Sequence, residues 1–239
     1  MIALLYDIHG NLPALDAVLA DAESRGARRY LIGGDVSAFG GWPAETVERL
    51  GALQDAAWIR GNWERWTADR TAIPDNPLLH AVADVVQDAL GDERVAALGG
   101  LRASVTLSAD PSGPTRAWHG SPVSDVRSFG STPDDDEAEL LAGVTERRLL
   151  FGHTHLPFRR IALRGDAPPV ELVNPGSVGL PFDGDRRAAY GMLHPEGRVE
   201  LHRIPYATDA AVEGVLALAA GAPWGGFVAQ ALRDAAFPA

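Results

Sequence analysis

The sequence of 239 residues contains no cysteine, and its 21 basic residues are all arginine. Without cysteine the chain cannot form disulfides, thiolate metal sites or a cysteine nucleophile. Without lysine it cannot form a Schiff base or supply the lysine of a phosphate-binding P-loop. Any metal ion would therefore have to be held by histidine, carboxylate or amide groups.

Acidic residues outnumber basic ones by 32 to 21, giving a net charge of −11. A chain of this charge repels a phosphate backbone, so we expect no stable binding to nucleic acid. The N-terminal segment MIALLYD has a short apolar run and no basic residue before it. It is therefore unlike a signal peptide or membrane anchor, and we expect a cytoplasmic protein.

A C-terminal apolar tail, residues 207–239, contains a stretch without charge from Gly214 to Leu232. Its length approaches that of a membrane span. Glycine and proline interrupt it at Gly221, Pro223, Gly225 and Gly226, which favours two short helices and no membrane contact. These helices are expected either to pack on the core or to form the interface of a homodimer.

The first third of the sequence alternates short apolar strands with amphipathic helices. The predicted strands are Ile2–Tyr6, Tyr30–Ile32 and Ala57–Ile59, and the helices between them run from Asn11 to Gly26 and from Pro43 to Leu53. Such a series implies an α/β fold with a parallel sheet, in which functional sites form at the carboxyl ends of the strands.

The remainder of the chain predicts one long helix, Asn76–Leu98, and a second set of strands. Those strands are Arg102–Leu107, Thr115–Trp118, Arg148–Phe151, Phe158–Leu163 and Val170–Val173, with a closing hairpin of Tyr190–Leu193 and Glu200–Ile204. The acidic run Asp134–Glu137 is expected in the first turn of a helix. No linker or repeat is evident, so residues 1–239 are predicted to form one domain.

Five clusters of polar residues follow predicted strands, each beside glycine. They are Asp7-Ile8-His9-Gly10-Asn11, Gly34-Asp35, Gly61-Asn62-Trp63-Glu64, Trp118-His119-Gly120 and Gly152-His153-Thr154-His155. Their oxygen and nitrogen donors suit divalent metals of intermediate hardness, and glycine allows the sharp turns that aim them into a crevice. Each cluster alone is equally compatible with a turn, a helix cap or a structural histidine.

The order of the clusters resembles the calcineurin-like metallophosphoesterase superfamily. The initial Asp-Ile-His-Gly-Asn and the later Asn174-Pro175-Gly176-Ser177 are most similar to its small bacterial and archaeal phosphodiesterase-type branch, and the resemblance spans residues 1 to about 204. It implies a four-layer α-β-β-α sandwich of two mixed sheets with a dinuclear metal site at one sheet edge.

The resemblance also implies a ligand set for two divalent ions. One ion takes Asp7, His9 and His155, the other takes Asn62, His119 and His153, and Asp35 bridges both and helps hold the hydroxide between them. We expect Mn²⁺, with iron, zinc, cobalt or nickel as alternatives, because this donor set accepts all of them. Two such ions activate water and stabilise both oxygens of an in-line displacement, so no side-chain nucleophile is required.

The sequence departs from the family pattern at Trp63, where the resemblance leads one to expect a histidine that assists the leaving group. An indole has no acid or base function near neutral pH. Because a leaving phosphate departs already ionised, this change favours anhydrides and activated esters over alkyl monoesters. Neighbouring Glu64 is expected to orient a ligand by hydrogen bonding or to act as the acid itself.

Further substrate contacts are expected from Arg60, Asn62 and Ser177. Arg60 could hold a phosphate oxygen or pair with a surface carboxylate. The tryptophans at 42, 63 and 66 could stack on a base or wedge loops onto the core. The segment Phe182–Arg187 is expected to be an exposed loop.

These observations predict a metal-dependent phosphoesterase that hydrolyses a phosphoanhydride or phosphodiester bond of a small nucleotide-type substrate. The alternatives are a catalytically silent metal-binding or regulatory module, in which Trp63 marks lost chemistry, and a nuclease of the same superfamily. A nuclease would need a basic channel, which the net charge of −11 disfavours.

Overall fold

Two mixed five-stranded sheets form the centre of the fold in the computed structural model, which describes residues 1–107 and 113–237. The last two residues of the predicted tail, Pro238 and Ala239, lie outside the described residues. The strands are β1 (Ile2–Leu5), β2 (Arg29–Ile32), β3 (Ala56–Trp58), β4 (Ser104–Leu107), β5 (Thr115–Trp118), β6 (Arg148–Leu150), β7 (Phe158–Arg164), β8 (Ala167–Asn174), β9 (Ala188–Leu193) and β10 (Val199–Ile204). The helices are α1 (Leu12–Ser24), α2 (Pro43–Gly51), α3 (Asn62–Ala68), α4 (Pro77–Gly99), α5 (Glu137–Leu140), α6 (Thr208–Ala219) and α7 (Pro223–Asp234).

The first sheet has the order β10-β9-β1-β2-β3, with β1, β2 and β3 parallel and the β9-β10 hairpin antiparallel. The second has the order β4-β5-β6-β8-β7, in which β5, β6 and β8 are parallel and the two edge strands are antiparallel. The predicted parallel series, second sheet and closing hairpin are thereby confirmed. Strand ends differ from the predicted ones by up to three residues.

Side chains alternate between two cores along β1, as expected for a strand buried on both faces. Leu4 points between the sheets, where it joins a cluster that includes Leu150 and Val173 of the second sheet. Leu5 points the other way, into the core shared with the helices on the first sheet. The outer face of the second sheet is covered by α5 and adjoining loops. The result is the α-β-β-α sandwich, with a thin fourth layer.

Three local features differ from the sequence expectations. Helix α3 was not predicted, and it begins within the Gly-Asn-Trp-Glu cluster itself. The acidic run mostly precedes α5 and does not form its first turn, because only Glu137 of the run is helical. Helix α4 is interrupted at Gly91, whose φ of 74° breaks the regular helix.

The C-terminal tail forms two helices, α6 and α7, as predicted. Both bury an apolar face in the core of the first sheet, through Val215 of α6 and Trp224 and Leu232 of α7. Leu216, on the outward side of α6, is 43% exposed. No helix among the described residues is both long and apolar enough to cross a membrane. Packing on the core is confirmed, and a homodimer through the outward faces stays a prediction.

The burial difference between two leucines of the tail can be tested directly. Leu232 is 3% exposed, so Leu232→Ala should lower the free energy of unfolding by about 2–5 kcal/mol, because it leaves a cavity. The matched variant Leu216→Ala should lower it by less than about 1 kcal/mol. Urea denaturation of the two variants measures both values, and equal losses would contradict the packing of α7 on the core.

Candidate functional site

All five polar clusters lie at the carboxyl ends of parallel strands. Asp7 follows β1 and Asp35 follows β2, while Asn62 comes after β3 in the first sheet. His119 and His153 follow β5 and β6 of the second sheet. Because the two sheets face each other, their strand ends open onto one edge of the sandwich, which is the position expected for a site in a parallel sheet.

The first group of side chains contains Asp7, His9 and His155, all of them buried. The Nε2 atoms of His9 and His155 are 3.1 Å apart, and His155 Nε2 is 3.5 Å from Asp7 Oδ1. These donors converge on one point, as the ligands of a metal ion do.

A second group contains Asp35, His119 and His153, joined by Asn62. His119 Nε2 is 3.4 Å from Asp35 Oδ2, and Asn62 Oδ1 lies 3.1 Å from His119 Nε2 and 3.0 Å from His153 Nδ1. Asp35 Oδ2 is also 3.9 Å from His9 Nε2 of the first group. Asp35 therefore lies between the two groups.

Asp7, His9, Asp35, His153 and His155 all have left-handed backbone conformations, with φ between 50° and 68°. Such values are uncommon outside glycine, although Asp tolerates them better than most residues, as does His. Each costs about 1–3 kcal/mol and persists only where surrounding contacts impose it. The backbone is thus held in strained turns where the polar side chains converge.

Three of the histidines are fixed through the ring nitrogen that faces away from the cluster. The Nδ1 atom of His9 is 3.1 Å from the Ala38 carbonyl oxygen, and that of His119 is 2.9 Å from the Gly33 carbonyl oxygen. His155 contacts the Leu180 carbonyl oxygen in the same way. A proton on Nδ1 leaves the Nε2 lone pair free to bind a metal, as in metal-ligating histidines.

The arrangement fits bound cations. With Nδ1 protonated, the Nε2 lone pairs of His9 and His155 point at each other and repel. A cation between the two nitrogens would remove this repulsion. Asp7 Oδ1 is buried and has no hydrogen-bond partner among the described residues. A buried carboxylate oxygen without a partner is costly unless a cation compensates it.

The electrostatics of the site depend on the two buried carboxylates. Burial disfavours a charged imidazole, yet Asp35 and Asp7 raise the pKa of His119 to about 10. Burial together with the neighbouring His155 lowers the pKa of His9 to about 4, so that ring is neutral. Although burial alone would raise it, His119 and His9 hold the pKa of Asp35 below its usual range. A cation would displace the proton from His119, since a metal ligand must be deprotonated.

Two glycines allow the loops to approach the carboxylates closely. A Cβ atom at Gly61 would lie 2.2 Å from Asp35 Oδ1, and one at Gly152 would lie 2.4 Å from Asp7 Oδ2. Real side chains do not tolerate these distances, so the backbone beside each aspartate must be glycine. This accounts for the glycine that precedes the polar residues in both clusters.

Glu64 is buried and accepts three backbone hydrogen bonds that tie two loops of the site together. Its carboxylate oxygens lie 2.9 Å from the Asp35 amide nitrogen, 2.8 Å from that of Val36 and 2.7 Å from that of Gly61. Burial and the charge of Asp35 raise the pKa of Glu64, whereas these N–H groups oppose the rise. The carboxylate points into the loops and does not line the cleft. The geometry thus favours the orienting role, and the alternative of a proton donor stays a prediction.

The Asn174-Pro175-Gly176-Ser177 segment braces two further loops. Ser177 Oγ donates to the Asp7 carbonyl oxygen at 2.7 Å, and the Asn174 side chain donates to the Gly152 carbonyl oxygen at 3.1 Å. Ser177 is fully buried. Ser177 therefore helps to hold the loop that carries Asp7, and its contact with substrate stays a prediction.

Arg60 lies beside the cleft. Its guanidinium donates to the Gly99 carbonyl oxygen at 3.0 Å, and none of the carboxylates among the described residues pairs with it. It lines a groove next to the cleft together with Trp118, Asp125 and His119, which belongs to the second ligand group. The phosphate contact of Arg60 stays a prediction.

The tryptophans have different roles. Trp42 packs against Gly214 of α6, where a Cβ atom would lie 2.3 Å from its ring, so it wedges a loop onto the core. Trp63 and Trp66 line the cleft and contact each other edge to face, with ring centroids 5.2 Å apart. The Trp63 amide donates to Asp35 Oδ1 at 3.0 Å. Trp63 thus presents an indole to the cleft and its backbone N–H to the Asp35 carboxylate.

The other side of the cleft is lined by hydrophobic residues, which the sequence did not predict. Phe182, placed above in an exposed loop, stacks on His155 with ring centroids 4.4 Å apart and an angle of 12°. Phe227 and Val228 of α7 line the same cleft, as does Phe39. The aromatic residues of the tail were the available signal in the sequence. They are far from the polar motifs along the chain, so the sequence does not show that they contact the cleft.

Comparisons with known proteins agree with this geometry. Residues 1–198 match the model of the calcineurin-like phosphoesterase superfamily domain. An uncharacterized protein, MJ0912 of Methanocaldococcus jannaschii, is 26% identical over 242 residues, covering 90% of this chain and 92% of the relative.

Two solved structures are similar over nearly the whole chain. The metallophosphoesterase from Sphaerobacter thermophilus has a TM-score of 0.79 and 25% identity, with 98% of each chain covered. The hypothetical protein PH1004 from Pyrococcus horikoshii OT3 has the same TM-score and 21% identity, covering 95% of this chain and 98% of that one. With its two possible metal-binding clusters, the chain belongs to the calcineurin-like phosphoesterase superfamily, a family of hydrolases that use divalent metals.

Proposed function

We propose that this phosphoesterase binds two divalent ions and hydrolyses a phosphoanhydride or phosphodiester bond of a small phosphate compound. The observation that carries the proposal is the convergence of seven oxygen and nitrogen donors from five loops at one sheet edge. These side chains are buried or nearly so, and they have the chemistry that metals of intermediate hardness require.

The proposed ligand sets follow the two groups of side chains. Asp7, His9 and His155 would hold one ion, and Asn62, His119 and His153 would hold the other, with Asp35 shared. Two ions bound there would acidify a water molecule and stabilise the attacking and leaving oxygens of an in-line displacement. We propose Mn²⁺, while iron, zinc, cobalt and nickel also suit these donors.

Charge balance favours an anionic substrate at this edge. The ions bring four positive charges to a site whose carboxylates, Asp7 and Asp35, bring two negative ones. Even with a hydroxide present the site keeps a charge of roughly +1, which attracts a phosphate group despite the net charge of the whole chain.

The proton for the leaving group has no evident donor. Among the described residues that line the cleft, the titratable ones are His9, Asp35, His153 and His155, all of them proposed ligands. A leaving group that departs already ionised avoids this difficulty, and a phosphate does so because its pKa is about 6. Phosphoanhydrides and aryl diesters are therefore the substrates that we favour.

A second candidate function is a silent metal-binding module, and Trp63 is the observation in its favour. The complete donor set argues against it, because a binding or regulatory role does not require two adjacent metal sites.

A cytoplasmic location also stays a prediction from the sequence.

The shared role of Asp35 gives the main test. Asp35→Asn removes the bridging charge yet keeps a residue that tolerates the left-handed backbone. We expect the wild type to contain two metal ions per chain and to hydrolyse bis-4-nitrophenyl phosphate and diadenosine tetraphosphate. We expect the variant to lose at least about a hundredfold in kcat/KM and to bind both ions more weakly, as measured by elemental analysis and turnover on one preparation.

The possible outcomes separate the two candidates. Two ions without turnover of either substrate would support the silent module. Unchanged metal content in Asp35→Asn would contradict the bridging role, and fewer than two ions in metal-replete wild type would contradict the ligand set.

Glu64 is proposed as a positioning residue that acts through the backbone of Asp35. In Glu64→Gln the new amide group meets N–H donors, so we expect metal affinity to fall by roughly 10–100-fold and stability by about 1–3 kcal/mol. Metal titration and thermal unfolding measure both effects. Normal metal affinity and stability with a flattened pH-rate profile would instead indicate that Glu64 donates a proton.

Restoring histidine at position 63 tests the leaving-group argument. Trp63→His should increase turnover of an alkyl monoester, glycerol phosphate, relative to diadenosine tetraphosphate by at least about tenfold, because it returns a general acid. The control Trp63→Phe removes the indole without adding an acid and should not change this ratio. The same ratio in both variants would show that protonation of the leaving group is not limiting.

A further inference from the structure

An apolar pocket of about 160 Å³ lies directly beside the proposed metal centre. Its polar side consists of proposed ligands, including His9, Asp35 and His155. Its other side is a wall of hydrophobic residues that we call the apolar wall. The apolar wall includes Phe39, Trp66, Leu79, Phe182, Phe227 and Val228.

The apolar wall is assembled from distant parts of the chain. Trp66 belongs to α3, Leu79 to α4 and Phe227 to α7, and Phe182 lies in the loop after β8. Trp66 is 8% exposed and held edge-on against Trp63, whereas Phe182 is stacked on His155. The wall therefore touches the ligand rings themselves.

Part of this wall lies outside the metal-binding framework. Phe227 and Val228 come after residue 198, where the match to the family model ends. None of the proposed ligands is in this segment, so binding of metal does not require α7 to face the cleft. An apolar face turned toward a charged centre calls for another explanation, which a substrate with one charged and one apolar end provides.

We propose that this pocket binds an apolar group of the substrate, an aryl ring or short alkyl chain, whose phosphate lies at the metal centre. The inference rests on the function proposed above and narrows its substrate class. An apolar cavity of roughly 150 Å³ is large enough to bind benzene, so the pocket matches one aryl ring. Transfer of such a group from water supplies affinity in proportion to the apolar area buried.

The same wall disfavours strongly polar substituents. Beyond the proposed ligands, the described residues that line the pocket carry no side-chain polar group other than the indole N–H of Trp63 and Trp66. Sugar hydroxyls and the polar edge of a base would lose hydrogen bonds to water there without replacing most of them. Aryl and alkyl phosphates should therefore bind better than nucleotides of similar charge.

Phosphonates with a single substituent test the pocket without any catalytic step. We would titrate methylphosphonate, phenylphosphonate and hexylphosphonate into the metal-loaded protein by calorimetry. The phenyl and hexyl compounds should bind at least about tenfold more tightly than the methyl compound. Their binding should also show a more negative heat-capacity change, which marks burial of apolar surface.

Variants then locate the preference. Phe227→Ala, and Leu79→Ala from a different helix, should reduce the phenyl-to-methyl affinity ratio by at least about threefold, because each removes part of the apolar wall. The control Leu216→Ala changes the outward side of the tail and should leave the ratio as in wild type. Two variants are used so that a folding defect in one does not decide the result.

Three outcomes would overturn the inference while leaving the proposed function intact. The first is equal affinity of the wild type for the methyl and phenyl compounds. The second is a phenyl-to-methyl affinity ratio that is the same as in wild type in both wall variants. The third is tighter binding of adenosine 5′-phosphate than of phenylphosphonate. Failure of protein with two metal ions to bind any of the phosphonates or to hydrolyse bis-4-nitrophenyl phosphate would overturn the proposed function as well.

Discussion

The burial of two carboxylates, Asp7 and Asp35, is the constraint on which the rest of the site depends. Both are at most 2% exposed, and burying a carboxylate is costly unless positive charge or several donors compensate it. The compensation comes from both sheets, through His119 and His155 on the second sheet and His9 on the first. The site thus exists only where the strand ends of the two sheets meet, and bound cations would complete its charge balance.

Holding these groups in place requires a second set of contacts behind them. The ligand loops adopt left-handed turns, which surrounding interactions must impose. Glu64 fixes the Asp35 loop against the Gly61 loop through three backbone N–H groups, and Ser177 fixes the Asp7 loop. These backbone donors stabilise the charged form of Glu64, which burial and the charge of Asp35 oppose by raising its pKa. The geometry of the candidate site therefore depends on these supporting residues as much as on the proposed ligands.

The sequence was informative where local pattern determines structure. The parallel strands and the convergence of polar residues at one sheet edge could be predicted, because polar residues after parallel strands share one edge. The grouping of Asp7 with His9 and His155 came from the resemblance to the family. The substrate contacts expected of Arg60 and Ser177 could not be judged, since the direction of a side chain depends on loop packing. The contact of Phe227 with the cleft was hidden for another reason. It depends on how α7 docks, and no local periodicity specifies which part of an apolar helix faces a site.

The contact between aromatic residues of the cleft and the missing proton donor are two consequences of the same residue, Trp63. An indole at position 63 removes an acid from the cleft and also joins Phe39 and Trp66 in a continuous aromatic surface. A histidine there would add a polar group that needs a hydrogen-bond partner and would interrupt this surface. Apolar surroundings also lower the local dielectric constant, which would strengthen the attraction between ions held at the proposed site and a phosphate. The proposed function therefore favours substrates whose leaving group is already stable as an anion, because the cleft would combine strong electrostatic stabilisation with little capacity for protonation.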